Sequence, residues 1–332
     1  MHNALSCFFP TTVIIVDDSS SFVDSLKESL FKQTNVIFKT FTNPLKALDY
    51  INDVSKYNKL DYSNLIRDGE ESTSDWKSIL LNVNGLHREI YSFDRFSKIS
   101  TVISDYMMPE INGVDFCSNI LDKNIQRILL TGVAEEKKVI EAFNNGYIQQ
   151  FIRKGSSDFE SDILESIDKS IYQYFRVYTD YIAKHVSIGE ITHLNDPIFS
   201  SFFSKIFSSD DFVEYYMLDV FGSYLLLKTN GQAKVLSVLT ENELSRIIDT
   251  GIESGEIDDD VLQKLQSRKY MVVSHSRIGL LPPVSEWGKY LCPVEHIEGY
   301  QTYYFTLSDS IVPDLDNNEI KSFDLFKKSS FV

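Results

Sequence analysis

Thr101–Gly113, TVISDYMMPEING, is the stretch around which the remaining sequence falls into order. Thr101, Val102 and Ile103 are β-branched and run into Ser104-Asp105, which reads as a buried strand ending on a carboxylate. Pro109 cannot continue a strand ladder and biases Met108 away from helix, and Asn112-Gly113 supplies a turn before a helix. Asp105 is thereby placed at the lip of a sheet. In open α/β folds ligands bind just outside the carboxyl ends of the strands, so an acid at that lip is positioned for chemistry.

Strand and helix patterns alternate on both sides of this stretch. Upstream, Thr12–Val16 is a continuous apolar run suited to a sheet covered on both faces, and it stops at Asp17-Asp18. Ser19–Ser21 are cap candidates for a helix whose stripe is Phe22, Leu26 and Leu30. Val36–Phe41 reads as a second strand, and Asn43-Pro44 opens a helix carrying Leu45, Leu48 and Ile51. Downstream come a helix through Phe116 to Leu121, a strand at Arg127–Thr131, a helix at Val139–Phe143, and a strand at Gln149–Arg153 followed by Lys154. Such alternation predicts an α/β, doubly wound, five-stranded parallel sheet. Between about 56 and 97 the pattern is interrupted by the acidic run Asp68–Asp75 and by apolar residues from Trp76 to Phe96, expected to be a helical insertion of one or two packed helices.

Four strand ends carry polar groups: Asp17-Asp18, Asp105, Thr131 and Lys154. In a doubly wound sheet those ends converge on one edge. Three carboxylates there would repel by roughly 4 kcal/mol per pair at about 4 Å and an effective dielectric near 20, so a divalent cation is expected between them. Hard oxygen ligands select Mg²⁺. The Thr131 hydroxyl and the Lys154 ammonium would hold oxygens of an incoming phosphoryl group, with Asp105 as nucleophile. An acidic pair after a strand is usually a solvated turn, and a strand-end threonine or lysine is usually structural. Their occurrence together, in this order and each at a strand end, is what points to phosphoryl chemistry.

On these residues, Thr12 to about Asp168 resembles the receiver domain of two-component response regulators. Its signature is an acidic pair, a phospho-acceptor Asp in a DxxMPxxxG context, a Thr or Ser, and a Lys. DYMMPEING matches that context. The resemblance implies a flavodoxin-like fold in which Asp105 accepts phosphate from a sensor histidine kinase or a phosphotransfer protein. It implies that Asp18, Asp105 and the Met107 backbone carbonyl ligate Mg²⁺, that Asp17 assists through water, and that Thr131 and Lys154 sense the phosphoryl group. It places Phe151 at the aromatic switch position; read from the strand pattern alone, Phe151 is equally a core residue. One departure is Gly155, which stands where the family keeps a proline after the lysine; the insertion is another, expected to add a surface for a kinase or for self-association.

Beyond Lys154, Phe159, Ile163, Ile167, Ile171, Tyr174, Tyr178 and Ile182 recur every three or four residues, predicting one long helix. It serves either as a linker packed on its neighbours or as a dimer seam. Then Phe212–Leu218, Gly222–Lys228 and Gln232–Leu239 read as antiparallel strands, with turns at Gly222 and Asn230-Gly231. A capping box at Thr240–Glu243 opens a helix, Asp258–Arg268 is a second helix, and strands follow at Tyr270–Ser274 and Tyr300–Leu307. The expected organisation is a receiver domain at 1–156, a linker helix at 157–185 and an α+β output domain with an antiparallel sheet at 186–332.

Charge narrows the output. The chain carries 32 Lys+Arg against 48 Asp+Glu. From Gly155 onward there are 15 Lys+Arg against 28 Asp+Glu, a net −13, which opposes a nucleic-acid surface. A winged-helix reading of Glu243–Arg268 meets Asp258-Asp259-Asp260 at the start of the would-be recognition helix, where phosphates would be repelled. No metal-ligand spacing among the histidines, phosphate loop or nucleophile elbow is visible, so no enzyme activity beyond the receiver's own phosphoryl transfer and dephosphorylation is expected. Cys7, Cys117 and Cys292 are widely spaced, and no apolar run reaches membrane-span length, which reads as a cytoplasmic chain with reduced thiols. The whole chain also resembles, more loosely, the quorum-sensing response regulators of the Legionella type, through its length, its atypical output domain and stretches such as GSYLLL and IEGYQTYYFTL. The expected function is a phosphorylation-switched regulator acting by homodimerisation or protein contacts. The alternatives are a DNA-binding transcriptional regulator and an effector or ligand-sensing output domain.

Overall fold

The computed structural model describes residues 3–31, 35–58, 66–68, 79–81, 89–132, 136–185, 192–273, 281–309, 316 and 318–330. They form two compact units: Phe9–Tyr62 with Phe93–Tyr178, and Met1–Phe8 with Ser63–Ser92 and Thr179–Val332. This division is discontinuous in sequence, unlike the contiguous blocks 1–156, 157–185 and 186–332.

The strands in chain order begin with β1 (Cys7–Phe8), β2 (Thr12–Val16) and β3 (Ile37–Phe41). Next come β4 (Ile66–Asp68), β5 (Ile79–Leu81), β6 (Ile99–Asp105), β7 (Gln126–Thr131) and β8 (Gln150–Arg153). Five of them build the first unit's sheet, all parallel, in the order β3-β2-β6-β7-β8. The three central strands β2, β6 and β7 are buried along their whole length, as continuous apolar runs in a parallel sheet require. The edge strands β3 and β8 are only partly buried. One face is covered by a cluster that includes Ile14, Val16, Ala47, Ile51, Val102, Phe116, Leu129 and Val139. The helix Pro44–Tyr57 opens as expected: Asn43 Oδ1 accepts from the Lys46 amide, and Pro44 occupies the first turn, where its missing N–H costs nothing.

The insertion differs from its reading as helices. Ile79 and Leu80 lie in β5, which pairs antiparallel with β4. Helical structure among the described residues is limited to a 3-10 turn at Glu89–Tyr91 and a short helix at Asp94–Ser97. Trp76, Leu86 and most of the acidic run lie outside the described residues. Ile90 is fully buried, its carbonyl accepts from the Lys321 amide, and the Tyr91 hydroxyl accepts from the Asp316 amide. This end of the insertion is tied internally to the C-terminal segment.

The second unit is α+β. Its remaining strands are β9 (Phe212–Met217), β10 (Tyr224–Lys228), β11 (Ala233–Thr240), β12 (Tyr270–Val272), β13 (Leu291–Pro293), β14 (Glu295–Glu298) and β15 (Thr302–Ser308). The main sheet is antiparallel, in the order β1-β9-β10-β11-β15-β14, and β12-β13 form a separate pair. The residues that close β1 onto β9 come from the start of the chain, Cys7 opposite Tyr216 and Phe8 opposite Tyr215. Helix Pro197–Ser208 lays Phe199, Phe203 and Phe207 against Tyr215, Tyr224 and Tyr303. Helices Glu241–Ser254 and Asp259–Gln266 share a second core with Met271, Val272 and Trp287. Thr240 Oγ1 accepts from the Glu243 amide, the cap read from the sequence, and Asp258 caps the following helix. The helix Phe159–His185 is continuous, with residues to Tyr178 in the first unit and from Thr179 in the second.

Candidate functional site

The register of the parallel sheet sets the site. Asp105 closes β6 opposite Leu130, and the Tyr106 amide donates to the Leu130 carbonyl. Thr131 is therefore the next residue along the neighbouring strand. Thr131 in turn lies opposite Arg153, and the Lys154 amide donates to the Thr131 carbonyl at 3.0 Å. On the other side, Val16 is opposite Ser104, so Asp17 leaves its strand level with Asp105. Four strand ends reach one edge because the strands are parallel and in register.

Gly113 lets the loop close beneath Asp105. Its amide donates to the Tyr106 carbonyl at 2.9 Å, and a Cβ at this position would run into the Asp105 carbonyl and Leu129 Cδ1. The DxxMPxxxG spacing thus has a packing cause: the ninth residue must approach strand backbone with no side chain. Asn112 caps the short helix Gly113–Ser118, accepting from the Val114 and Asp115 amides.

Asp17, Asp18 and Asp105 each present a carboxylate oxygen, all within 4.8 Å of one another. Asp17 and Asp105 are buried and Asp18 is exposed, so the cluster opens to solvent on one side. The Lys154 ammonium sits 2.6 Å from Asp17 Oδ2 and 2.7 Å from Asp105 Oδ1. Asp17 Oδ1 accepts from the Ser19 amide and Asp105 Oδ2 from the Met107 amide. Burial pushes the Asp105 carboxyl above its ordinary range, against the pull of Lys154, and the Asp17 charge adds to the rise. Burial works to lower the Lys154 pKa, but its hydrogen bonds to Asp105 and Asp17 outweigh that and leave it raised. One ammonium compensates two buried carboxylates, and a net negative charge is left over. Three oxygen donors of this kind fit a hard divalent cation such as Mg²⁺.

The structure therefore gathers Asp17, Asp18, Asp105 and Lys154, and the register brings Thr131, which is buried, alongside. Met107 follows at the lip with its side chain 66% exposed. Phe151 lies on the edge strand β8 and is 47% exposed, so it is a surface aromatic and not a core residue. The residue after Lys154 is accommodated simply: no peptide bond among the described residues is cis, and a Cβ at Gly155 would meet nothing. Two contributors are not apparent from the motif. Ser19 ties Asp17 to the first helix turn, and the Phe22 ring lies under the Lys154 ammonium, 4.4 Å from it. An aromatic five residues after the first acid was readable only as part of a helical stripe.

This sheet order, with three acids, a threonine and a lysine at the carboxyl edge, defines the receiver fold of two-component response regulators. The resemblance extends well beyond that fold. Over 99% of its length the chain is similar to the Legionella pneumophila response regulator LqsR, covering 97% of that chain at 28% identity with a TM-score of 0.81. A response regulator receiver domain protein from Clostridium thermocellum matches 48% of this chain and 94% of its own at 18% identity, TM-score 0.33. A CheY-like receiver domain protein from Methanospirillum hungatei matches 50% and 96% at 15% identity, TM-score 0.33. No protein-family model matches the chain, and no curated protein does.

Proposed function

We propose that this chain is a response regulator of a two-component phosphorelay, switched by phosphorylation of Asp105. The observation that carries the reading is the buried Asp105 carboxylate held within 4.8 Å of two further acids and 2.7 Å from Lys154. In the step proposed, an Asp105 carboxylate oxygen attacks the phosphorus of a phosphohistidine, on a histidine kinase or a phosphotransfer protein. The O–P bond forms as the P–N bond breaks, and the imidazole nitrogen leaves with the electron pair and takes up a proton. Asp17, Asp18, Asp105 and the Met107 carbonyl would hold Mg²⁺, which supplies charge neutralisation for the transferring group. Lys154 is placed to turn from its carboxylate partners to a phosphoryl oxygen, and the Thr131 hydroxyl to donate to another.

The output is read as protein contacts or homodimerisation, within quorum sensing by analogy with the Legionella-type regulators, and without enzyme activity beyond the receiver's own. Phosphorylation adds about −1.5 to −2 charge, and a coupling of roughly 1–3 kcal/mol suffices to bias an interface. The acidic second half disfavours a DNA-binding role. No helix among the described residues is long and apolar enough to cross a membrane, which is consistent with a cytoplasmic site of action. The test is light scattering on wild type and Asp105→Asn, each with and without the phosphoryl mimic beryllofluoride and Mg²⁺. A mass change confined to wild type supports the reading; identical behaviour of the two proteins contradicts the switch.

Met107, two residues past the acceptor, is apolar where a polar side chain could orient a hydrolytic water. Val133, the equivalent position past Thr131, lies outside the described residues. Slow autodephosphorylation is expected. Loss of label from purified phosphoprotein should take minutes or longer, and polar replacements at both positions should shorten it; a half-life of seconds in wild type would contradict the idea.

A further inference from the structure

We propose that Phe22 is a positioning residue for Lys154, and that through Phe159 it carries the state of Asp105 to the start of the 159–185 helix. This rests on the reading of Asp105 as phospho-acceptor. Three contacts line up within the first unit. The Lys154 ammonium stands 4.4 Å from the centroid of the Phe22 ring, inside the range where a ring face attracts a cation. The same ring packs against Phe159 at 6.1 Å between centroids with a 51° tilt. Phe159 is the first residue of the long helix.

Phe22 is also tied to the acids through its backbone. The Ser19 amide donates to Asp17 Oδ1, and Ser19 in turn accepts from the Phe22 amide through its hydroxyl and from the Val23 amide through its carbonyl. Ring and backbone of Phe22 thus report on the same acidic notch from two directions.

The ammonium occupies the space between Asp17 and Asp105, 2.6 and 2.7 Å from their oxygens. A phosphoryl group esterified to Asp105 adds three oxygens there. Esterification also removes the Asp105 negative charge that holds the ammonium, so the ammonium shifts from Asp105 Oδ1 toward a phosphoryl oxygen. Its attraction to the Phe22 ring changes as it moves, and Phe159, the ring's aromatic neighbour, registers the change. Coupling of this kind is reciprocal: what the phosphoryl group does to the helix start, the helix start does to the affinity for the phosphoryl group.

The experiment uses the full chain, with beryllofluoride and Mg²⁺ as probe. It measures probe affinity and amide hydrogen exchange over residues 157–165 for wild type, Phe22→Leu, Phe22→Tyr and Phe159→Ala. In wild type the probe should bind and alter exchange at 157–165. Phe22→Leu keeps an apolar side chain but loses the ring face; it should bind roughly 2- to 5-fold more weakly, the range expected for a partly exposed cation–ring contact, and lose the exchange response. Phe22→Tyr should restore both, and Phe159→Ala should weaken binding although it touches no group at the acidic notch. Should Phe22→Leu fold poorly, ring-fluorinated phenylalanine at position 22 replaces it, with the response expected to fall as fluorine is added. Failure of wild type to bind the probe overturns the phospho-acceptor reading itself. Binding by wild type with no exchange response, or an unchanged response in Phe22→Leu, overturns this inference and leaves that reading intact.

Discussion

Gly113 and His193 illustrate what single residues contribute. Gly113→Ala would drive a methyl group into the Asp105 carbonyl and Leu129, with backbone on one side and a packed core on the other. A loss of about 1–3 kcal/mol in urea denaturation is expected, the range typical of overpacking, toward its upper end because neither neighbour can yield. His193 is buried, its Nε2 has no hydrogen-bond partner among the described residues, and burial pulls its pKa down to about 3 from 6.5. Its folded pKa is depressed, so the native state holds it neutral while the unfolded chain takes up a proton below about pH 6.5. Its contribution to stability is therefore full above pH 6.5 and is lost as pH falls from 6.5 toward 3, at up to about 1.4 kcal/mol per pH unit. Chemical denaturation at pH 7 and pH 5 should show a smaller loss on acidification in His193→Leu than in wild type; equal losses would contradict this assignment.

Elements show which features were legible and why others were not. Four of the five parallel strands were readable as short runs ending on a polar residue and the fifth as the run Val36–Phe41, and the 159–185 helix because its stripe repeats over seven positions. β5 was misread: Ile79-Leu80-Leu81 is too short for periodicity to separate strand from helix. β1 was not read at all, since a two-residue strand acquires meaning only from Tyr215 and Tyr216, some 200 residues away. The same holds for Phe22, whose partner Lys154 is remote in sequence. The reach of the cap on helix Pro197–Ser208 likewise has no local signal in the sequence. Asp196 is fully buried, accepts from the Ile198 and Phe199 amides through one oxygen, and from the Tyr300 amide and the Tyr303 hydroxyl through the other. Asp196→Ala should cost about 2–4 kcal/mol in thermal or urea unfolding, beyond the roughly 0.5–2 kcal/mol of an ordinary cap, because two further donors lose their acceptor. A loss under about 1 kcal/mol would mean those donors find other partners.

At the scale of the whole molecule, a parallel-sheet unit with an acidic edge is joined by one unbroken helix to an α+β unit built on an antiparallel sheet. The charge distribution, net −13 from Gly155 onward, was legible from composition and bears on what the second unit contacts. The proposed switch depends on Asp105 becoming an acyl phosphate. Acyl phosphates are reduced by borohydride, and the aspartate that carried one becomes homoserine. Treating the purified protein with a small-molecule phosphodonor, then borohydride, then reading peptide masses locates the modified residue directly. Homoserine at position 105, dependent on Mg²⁺ and lost when Asp17 and Asp18 are both replaced by Asn, is the predicted result. Modification at another residue, or none at 105 with donor and Mg²⁺ in excess, would contradict it.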